Sequence, residues 1–398
     1  MDVNKTDIQN QADKYMFQTY GRFPVTMVKG EGCRLWDEKG KEYIDFVGGI
    51  AVCALGHSSP LITEVLAEQS KKLVHVSNLY YTIPQVNLAR LLVENSFADR
   101  AFFCNSGAEA NEAAIKLARR YSNEKYGLGR NTIITMKGSF HGRTMATLSA
   151  TGQDKIKKGF NPLLDGFVFV PFNDIGSIEQ EIDDSVCAVM LEPIQGEGGV
   201  VCPEPGFLKA VRALCDRKNV LLIFDEVQVG MGRTGKLFAY ENFDVTPDIM
   251  TLAKALGNGL PIGAMLSREK LAGAFGPGSH ATTFGGTPLV TAVAEAVVKT
   301  LLEGGLMKQC YETGIYFREK LNKIKKEYDF VKEVRGYGLI VGMELSRPGA
   351  EIVTACMEKG FLINCAQNNV LRFIPPLTIS KEEVDLLVDC LNEIFRKV

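Results

Sequence analysis

Five consecutive apolar residues, Val220-Leu221-Leu222-Ile223-Phe224, run straight into Asp225-Glu226-Val227-Gln228. A short apolar run without polar alternation predicts a strand buried on both faces, as in a parallel sheet covered by helices. Ligands of such sheets sit just beyond the carboxyl ends of the strands, so Asp225 is placed where chemistry happens. A second short run, Ile249-Met250-Thr251-Leu252, reads as another strand, with Lys254 just past its end. An acid and a lysine therefore arrive at one edge of one sheet.

The rest of the chain supports that sheet. From about Val86 the pattern alternates: helix Val86 to Glu94, strand Arg100 to Cys104, helix Gly107 to Tyr121, strands Thr132 to Met136, Gly166 to Val170 and Val186 to Leu191, and helix Phe207 to Lys218. Alternation of this kind predicts an α/β fold with a doubly wound, mainly parallel sheet. Ahead of it, Met1 to Tyr20 reads as a helical lead-in, Gly30 to Phe46 as a hairpin turning at Asp37 to Gly40, and Leu61 to Val74 as a helix. Beyond Pro288 a long helix, Leu289 to Leu302, leads into a mixed α+β stretch. For 398 residues this suggests a large domain over 57–290 and a smaller one over 291–398, with residues 1–56 packing on the smaller.

Composition narrows the function classes. Net charge is −2, with no basic block that would mark a nucleic-acid partner. No apolar run reaches membrane-spanning length, and Met1 to Lys14 lacks the apolar core of a signal peptide. The four His and ten Cys are scattered, with no CxxC pair, so no metal site is expected. Scattered thiols fit a reducing cytoplasm.

An acid and a lysine at one sheet edge suit pyridoxal phosphate. A carboxylate opposite the ring nitrogen keeps it protonated, and a lysine forms the imine with the aldehyde and moves protons. Taken singly, Asp225 would be read as capping a turn and Lys254 as solvated, since such residues are mostly exposed; their company along the chain is what changes the reading. Other strand ends add to the pair. Asn105-Ser106-Gly107-Ala108 joins a strand to a helix, where a Ser N-cap, free N–H groups and the helix dipole make a phosphate cradle or simply a capped helix. Phe140-His141-Gly142-Arg143 offers an aromatic for stacking and a guanidinium for a carboxylate. It could equally be a turn with Phe140 in the core and Arg143 on the surface. Glu192 opens a glycine-rich stretch, Glu192-Pro193-Ile194-Gln195-Gly196-Glu197-Gly198-Gly199, and could instead pair with a structural arginine.

The ordered set Ser-Gly-Ala-Glu-Ala-Asn-Glu, Phe-His-Gly-Arg, Glu-Pro-Ile-Gln-Gly-Glu-Gly-Gly, Asp-Glu-Val-Gln and Ala-Lys-Ala-Leu-Gly-Asn-Gly resembles the class III, ornithine-type aminotransferases of the fold-type I pyridoxal phosphate enzymes. So do Leu55-Gly56-His57, Thr282-Thr283-Phe284-Gly285-Gly286 and Leu371-Arg372-Phe373-Ile374-Pro375-Pro376. The resemblance covers essentially the whole chain and leans toward the N-acetylornithine branch. It implies a seven-stranded-type sheet, pyridoxal 5'-phosphate as cofactor and a homodimer with shared sites. It gives Lys254 the covalent and proton-moving role, Asp225 the ring nitrogen, Gln228 the ring hydroxyl and Phe140 the ring face, with His141 beside it. Ser106, Gly107 and Ala108 hold the phosphate, reached also by Thr283 of the neighbouring subunit. Arg143 takes the substrate α-carboxylate, with Arg372 and Tyr20 along the substrate site. Glu192 is expected to be a gate that pairs with Arg372.

The implied reaction moves an amino group from N-acetylornithine to 2-oxoglutarate. Ile50 stands where ornithine-specific members carry a tyrosine for the free α-amino group, which favours an acylated nitrogen; ornithine, succinylornithine, succinyl-diaminopimelate and 4-aminobutyrate remain alternative donors. Arg372 speaks against an aminomutase, and an intact Lys254 against a non-catalytic relative. Cys53, Ala54, Ser58 and Ser59 near the Gly-His loop, and Ala281 and Thr287 around the dimer motif, depart from the family's commonest residues.

Overall fold

The computed structural model describes residues 7–397, so the first residues of the expected lead-in and Val398 lie outside the described part. Its centre is a seven-stranded sheet in the order Arg100–Cys104, Gly263–Ser267, Ile249–Leu252, Leu221–Asp225, Val186–Leu191, Thr132–Met136, Phe167–Val170. Every pairing is parallel except the two made by Gly263–Ser267. All residues of Val186–Leu191 and Leu221–Asp225 are buried, as their unbroken apolar runs require.

The two-residue period of a strand decides which side chain meets which layer. Leu221 and Ile223 face a core shared with the alanines of helix Gly107–Tyr126. Leu222 and Phe224 face the opposite core, shared with helices Phe207–Lys218 and Pro288–Glu303. That alternation carries Asp225, the last residue of its strand, toward the helix Gly107–Tyr126. Its register partner on the next strand is Thr251.

Gly263–Ser267 was not expected as a strand. Its run, Gly-Ala-Met-Leu-Ser, has no β-branched residue and starts on glycine. The glycine is required: a Cβ on Gly263 would lie 2.3 Å from the Ser106 carbonyl oxygen. The strand therefore runs close under the loop that starts helix Gly107–Tyr126.

The hairpin near the N-terminus is present as Arg34–Asp37 with Glu42–Asp45, extended by Met27–Glu31 on its outer side. Glu42–Asp45 pairs in parallel with Phe361–Leu362, far along the chain. A separate antiparallel sheet, Val331–Tyr337, Ile340–Leu345, Val370–Phe373 and Asn364–Ala366, is packed by helices Leu306–Glu327 and Ala350–Glu358, against which helix Lys381–Phe395 lies. Ser380 and Glu383 form a reciprocal capping box at the start of the last helix. Among the described residues no helix is long and apolar enough to cross a membrane, and all ten cysteines are free.

Candidate active site

Beyond the carboxyl ends of the central strands lies a cavity of roughly 470 Å³, into which both Asp225 and Lys254 open. Asp225 is buried and well held. Its Oδ2 accepts from Asn111 Nδ2 and lies beside His141 Nδ1, each at 2.8 Å, and its Oδ1 accepts from Val227 N at 3.0 Å. Lys254 begins a short 3-10 turn, Lys254–Gly257, with φ +46°, a conformation that costs a non-glycine residue of order 1–3 kcal/mol and clusters at functional sites. Burial pushes the Lys254 amine below the usual lysine range, and Arg372 adds to this; Glu197, Asp225 and Glu192 pull it partly back.

Ser106, Gly107 and Ala108 line the same cavity. The Ser106 hydroxyl accepts from Glu109 N at 3.2 Å, so Ser106 is the N-cap of the twenty-residue helix Gly107–Tyr126. The first N–H groups of that helix have no intrahelical acceptor and face the cavity mouth with the positive end of the dipole. A Cβ on Gly107 would come within 2.7 Å of Val227, so only glycine leaves the cradle open against that neighbour. Phe140 forms one wall, and the Arg143 guanidinium lies 5.6 Å from its ring centre, toward solvent.

Beside the cavity, bonded to its lining residue Gln228, is a charge pair whose members do not themselves line it: Arg372 is buried and Glu197 is half-buried. Arg372 Nη1 donates to Glu197 Oε1 at 2.6 Å and to Gln228 Oε1 at 3.1 Å, while its Nε donates to Asn364 Oδ1 at 3.1 Å. Gln228 Nε2 completes the ring by donating to Glu197. Burial would raise the Glu197 carboxyl, but Arg372 and then Lys254 outweigh it and hold it below the usual carboxylate range.

A family model described as Aminotransferase class-III matches residues 15–395. The chain belongs to the class-III aminotransferases. It is 52% identical over 386 residues to an acetylornithine aminotransferase of Caldanaerobacter subterraneus, covering 97% of this chain and 98% of that one. A Methanocaldococcus jannaschii acetylornithine aminotransferase is also 52% identical, with 97% of each chain covered. Among solved structures, N-acetylornithine aminotransferase from Stenotrophomonas maltophilia is similar at TM-score 0.84 and 40% identity over 98% of each chain. Ornithine aminotransferase from Toxoplasma gondii is similar at TM-score 0.94 and 33% identity, covering 99% of this chain and 100% of that one.

For a class-III aminotransferase of this sequence, one expectation needs correction. Glu192 does not pair with Arg372. Its Oε2 accepts from Phe140 N and its Oε1 from Gly196 N, each at 3.1 Å, which ties two cavity loops together. Burial pushes its carboxyl up to about 7, with His141 pulling down and Asp225 adding to the rise. The partner of Arg372 is Glu197, five residues on in the same glycine-rich stretch.

Of the other expected residues, Gln228 and His141 line the cavity, His141 acting on it through Asp225. Tyr20 and Ile50 do not line it within one chain and are 72% and 45% exposed. Ile50 takes a left-handed conformation (φ 66°) in the Gly48–Ala51 turn, and Val52 of the same loop reaches the cavity instead. Thr283 is exposed on the loop after Ser279, which is tied down by Ser77 and Asn78 through the backbone carbonyls of Thr283, Thr282 and Gly285. Two residues escaped the sequence reading: Glu197, and Asn111 behind Asp225. Asn111 carries a signal in hindsight, since it falls on the same helical stripe as Ala114 and Ala118, a polar residue on a buried face of small ones.

Proposed function

We propose that this aminotransferase moves the terminal amino group of N2-acetyl-L-ornithine to 2-oxoglutarate, giving N-acetylglutamate 5-semialdehyde and L-glutamate, with pyridoxal 5'-phosphate as cofactor. The observation that carries it is one cavity holding a hydrogen-bonded carboxylate, a buried amine and an open helix N-terminus. The full-length likeness to acetylornithine aminotransferases supports the donor.

The residues suit the cofactor's chemistry point by point. Asp225 would hold the ring nitrogen cationic, Phe140 would cover the flat face, Lys254 would take the aldehyde and the N–H groups of Gly107 and Ala108, beside Ser106, would take the phosphate. Gln228, at the mouth of the Glu197–Arg372 pair, is within the same cavity for the ring hydroxyl. When bound, pyridoxal phosphate supplies an electron sink and carries the amino group between the two half-reactions.

This chain's own groups do the rest. Lys254, kept toward its neutral form by burial, would take a proton at Nζ from the donor's amine-bearing carbon and deliver it, across the shared nitrogen, to the carbon that was the cofactor's aldehyde. Arg143 holds the substrate α-carboxylate in a two-point grip, which places the reacting amine at the far end of the donor. Glu197 neutralises Arg372 while a donor without a second carboxylate is bound. A dicarboxylate acceptor brings its own charge and takes Glu197's place on the guanidinium.

Completion of the site by a second copy rests on the apolar surface beside Thr283. Leu79, Tyr80, Tyr81 and Ile83 form a solvent-facing run, with Tyr81 97% exposed, and Phe284 on the Thr283 loop is 64% exposed. Patches of that kind mark association sites, and a homodimer would set Thr283 of one copy at the phosphate of the other. Ten free thiols suit a cytoplasmic setting.

The test is a donor panel with 2-oxoglutarate: N-acetylornithine, succinylornithine, succinyl-diaminopimelate, ornithine and 4-aminobutyrate. N-acetylornithine is expected to give the highest kcat/KM. A higher value for free ornithine refutes the donor assignment, and a protein that takes up no pyridoxal phosphate refutes the reaction class.

A further inference from the structure

Asp225 is held by a chain of side chains that runs along one face of the sheet to the helix that starts at the phosphate cradle. The strand period turns Asp225 toward helix Gly107–Tyr126, on the face of Leu221 and Ile223. Its register partner Thr251 faces the same way, on the face of Ile249. Asn111, one turn into the helix from Gly107, sits between them and is buried.

Every polar atom of Asn111 is engaged. Thr251 Oγ1 donates to Asn111 Oδ1 at 2.7 Å, which fixes the amide so that Nδ2 faces the other way. Nδ2 then donates to Asp225 Oδ2 and to the His141 carbonyl oxygen, each at 2.8 Å. The same Asp225 oxygen meets the His141 ring nitrogen. Asn111 thus fixes the acid, the backbone of the loop that presents Phe140 and, through its own helix, the first turn that carries Gly107 and Ala108. Around this chain the packing leaves no slack: a Cβ on Gly142 would lie 2.5 Å from Thr147 Oγ1 and 2.9 Å from Ala108 Cβ.

We infer that Asn111, oriented by Thr251, is a positioning residue for the reaction, locking the Asp225 carboxylate to the helix whose N-terminus receives the cofactor phosphate. This rests on the function proposed above. A hydrogen bond to a charged group in a buried network carries more weight than one at a surface. Its loss leaves Asp225 held by His141 and Val227 N alone, untied from the helix, so that the carboxylate is less well fixed toward the ring nitrogen while the substrate is untouched. Asn111 therefore sets turnover and cofactor retention and leaves substrate recognition to Arg143 and Arg372.

The test compares Asn111→Ala and Thr251→Val with the wild-type holoenzyme. Four readouts are taken: the dissociation constant for pyridoxal phosphate by spectroscopic titration, kcat, KM for donor and for 2-oxoglutarate, and the melting temperature of the cofactor-free protein. Asn111→Ala is expected to weaken cofactor binding and lower kcat by about tenfold to a hundredfold each, the range for losing one hydrogen bond to a charged group. Both KM values should stay within about threefold. Thr251→Val keeps the side-chain volume and should move cofactor binding and kcat in the same direction by less. Wild-type kcat and cofactor affinity in Asn111→Ala, or a loss seen only in melting temperature, overturns the inference. If Asn111→Ala does not fold, Thr251→Val decides: unchanged kcat and affinity there overturn it. A wild-type protein that takes up no pyridoxal phosphate overturns the proposed function itself, a separate and distinguishable result.

Discussion

Replacing Arg372 with leucine tests the charge pair beside the cavity. The substitution removes the guanidinium that bonds Glu197, Gln228 and Asn364 and leaves an apolar side chain that fills part of the space. Two consequences separate. For folding, Glu197, half-buried, loses its direct partner and keeps only Lys254 as a positive neighbour, a loss smaller than the roughly 3–5 kcal/mol of a fully buried pair. The double variant Glu197→Gln with Arg372→Leu removes both charges and should recover most of that loss. For function, the acceptor's second carboxylate loses its cation, and truncating one side of a buried charge pair costs about 2–5 kcal/mol, or roughly 30- to 5,000-fold in kcat/KM for 2-oxoglutarate.

The two half-reactions are followed separately by cofactor absorbance in single turnover. The donor half-reaction should change little at its optimum, because the role proposed for Arg143 leaves the donor's carboxylate to that residue. Its pH dependence should move, though. Arg372 helps to depress Lys254 and Glu197 raises it, so the single variant should shift the working range of Lys254 to higher pH, and the double variant should bring it back. Equal loss in both half-reactions would show that Arg372 serves the fold or both substrates alike. An unchanged rate with 2-oxoglutarate would remove Arg372 from acceptor recognition altogether.

Other perturbations address the remaining parts. Lys254→Ala should abolish turnover and the yellow colour of the purified holoenzyme, read by absorbance; a coloured, active variant would contradict its role. Arg143→Ala should lose roughly 3 kcal/mol of transition-state binding, seen in kcat/KM for the donor. Gly263→Ala forces a methyl group to within 2.3 Å of the Ser106 carbonyl, so thermal melts should show a loss of about 1–3 kcal/mol, and cofactor affinity should fall with it. His57 is raised to about 10, first by its hydrogen bond to Asp45. A histidine raised on folding contributes stability that is full below its unfolded value near 6.5 and is lost as pH climbs through 10. Subtracting the pH–stability curve of Asp45→Asn from that of the wild type should therefore leave a decline across about pH 6.5 to 10; a flat difference would deny the pair any energetic role.

What could be read from the chain, and what could not, follows from how locally each feature is determined. Val186–Leu191 was legible to the residue because a strand buried on both faces needs an unbroken apolar run, Thr132–Met136 because its threonines and isoleucines are strand formers, and Asp225 because the run before it stops there. Gly263–Ser267 was hidden because it carries no β-branched residue and its first position is set by a neighbour: the Ser106 carbonyl leaves room there for glycine alone. The two glutamates of Glu192-Pro-Ile-Gln-Gly-Glu197 sharpen the point. Both flank the same turn, both are acidic, and sequence order favours the one at the strand end. Only the chain's path decides between them. It turns Glu192 back onto the N–H groups of Phe140 and Gly196 and carries Glu197 to Arg372, which arrives from a strand of the other sheet. Residues that act along a strand end are written in the local pattern; a pair that closes between sheets 175 positions apart is written only in the packing of one against the other. For the same reason the acceptor specificity of this enzyme should be more sensitive than its basic chemistry to substitutions at the contact between the sheets. Gly199 shows where: a Cβ there, at φ +103°, would press on Val370 at 3.1 Å, on the strand that carries Arg372. Gly199→Ala should therefore raise KM for 2-oxoglutarate more than it alters the donor half-reaction, and an equal effect on both would place the control of Arg372 elsewhere.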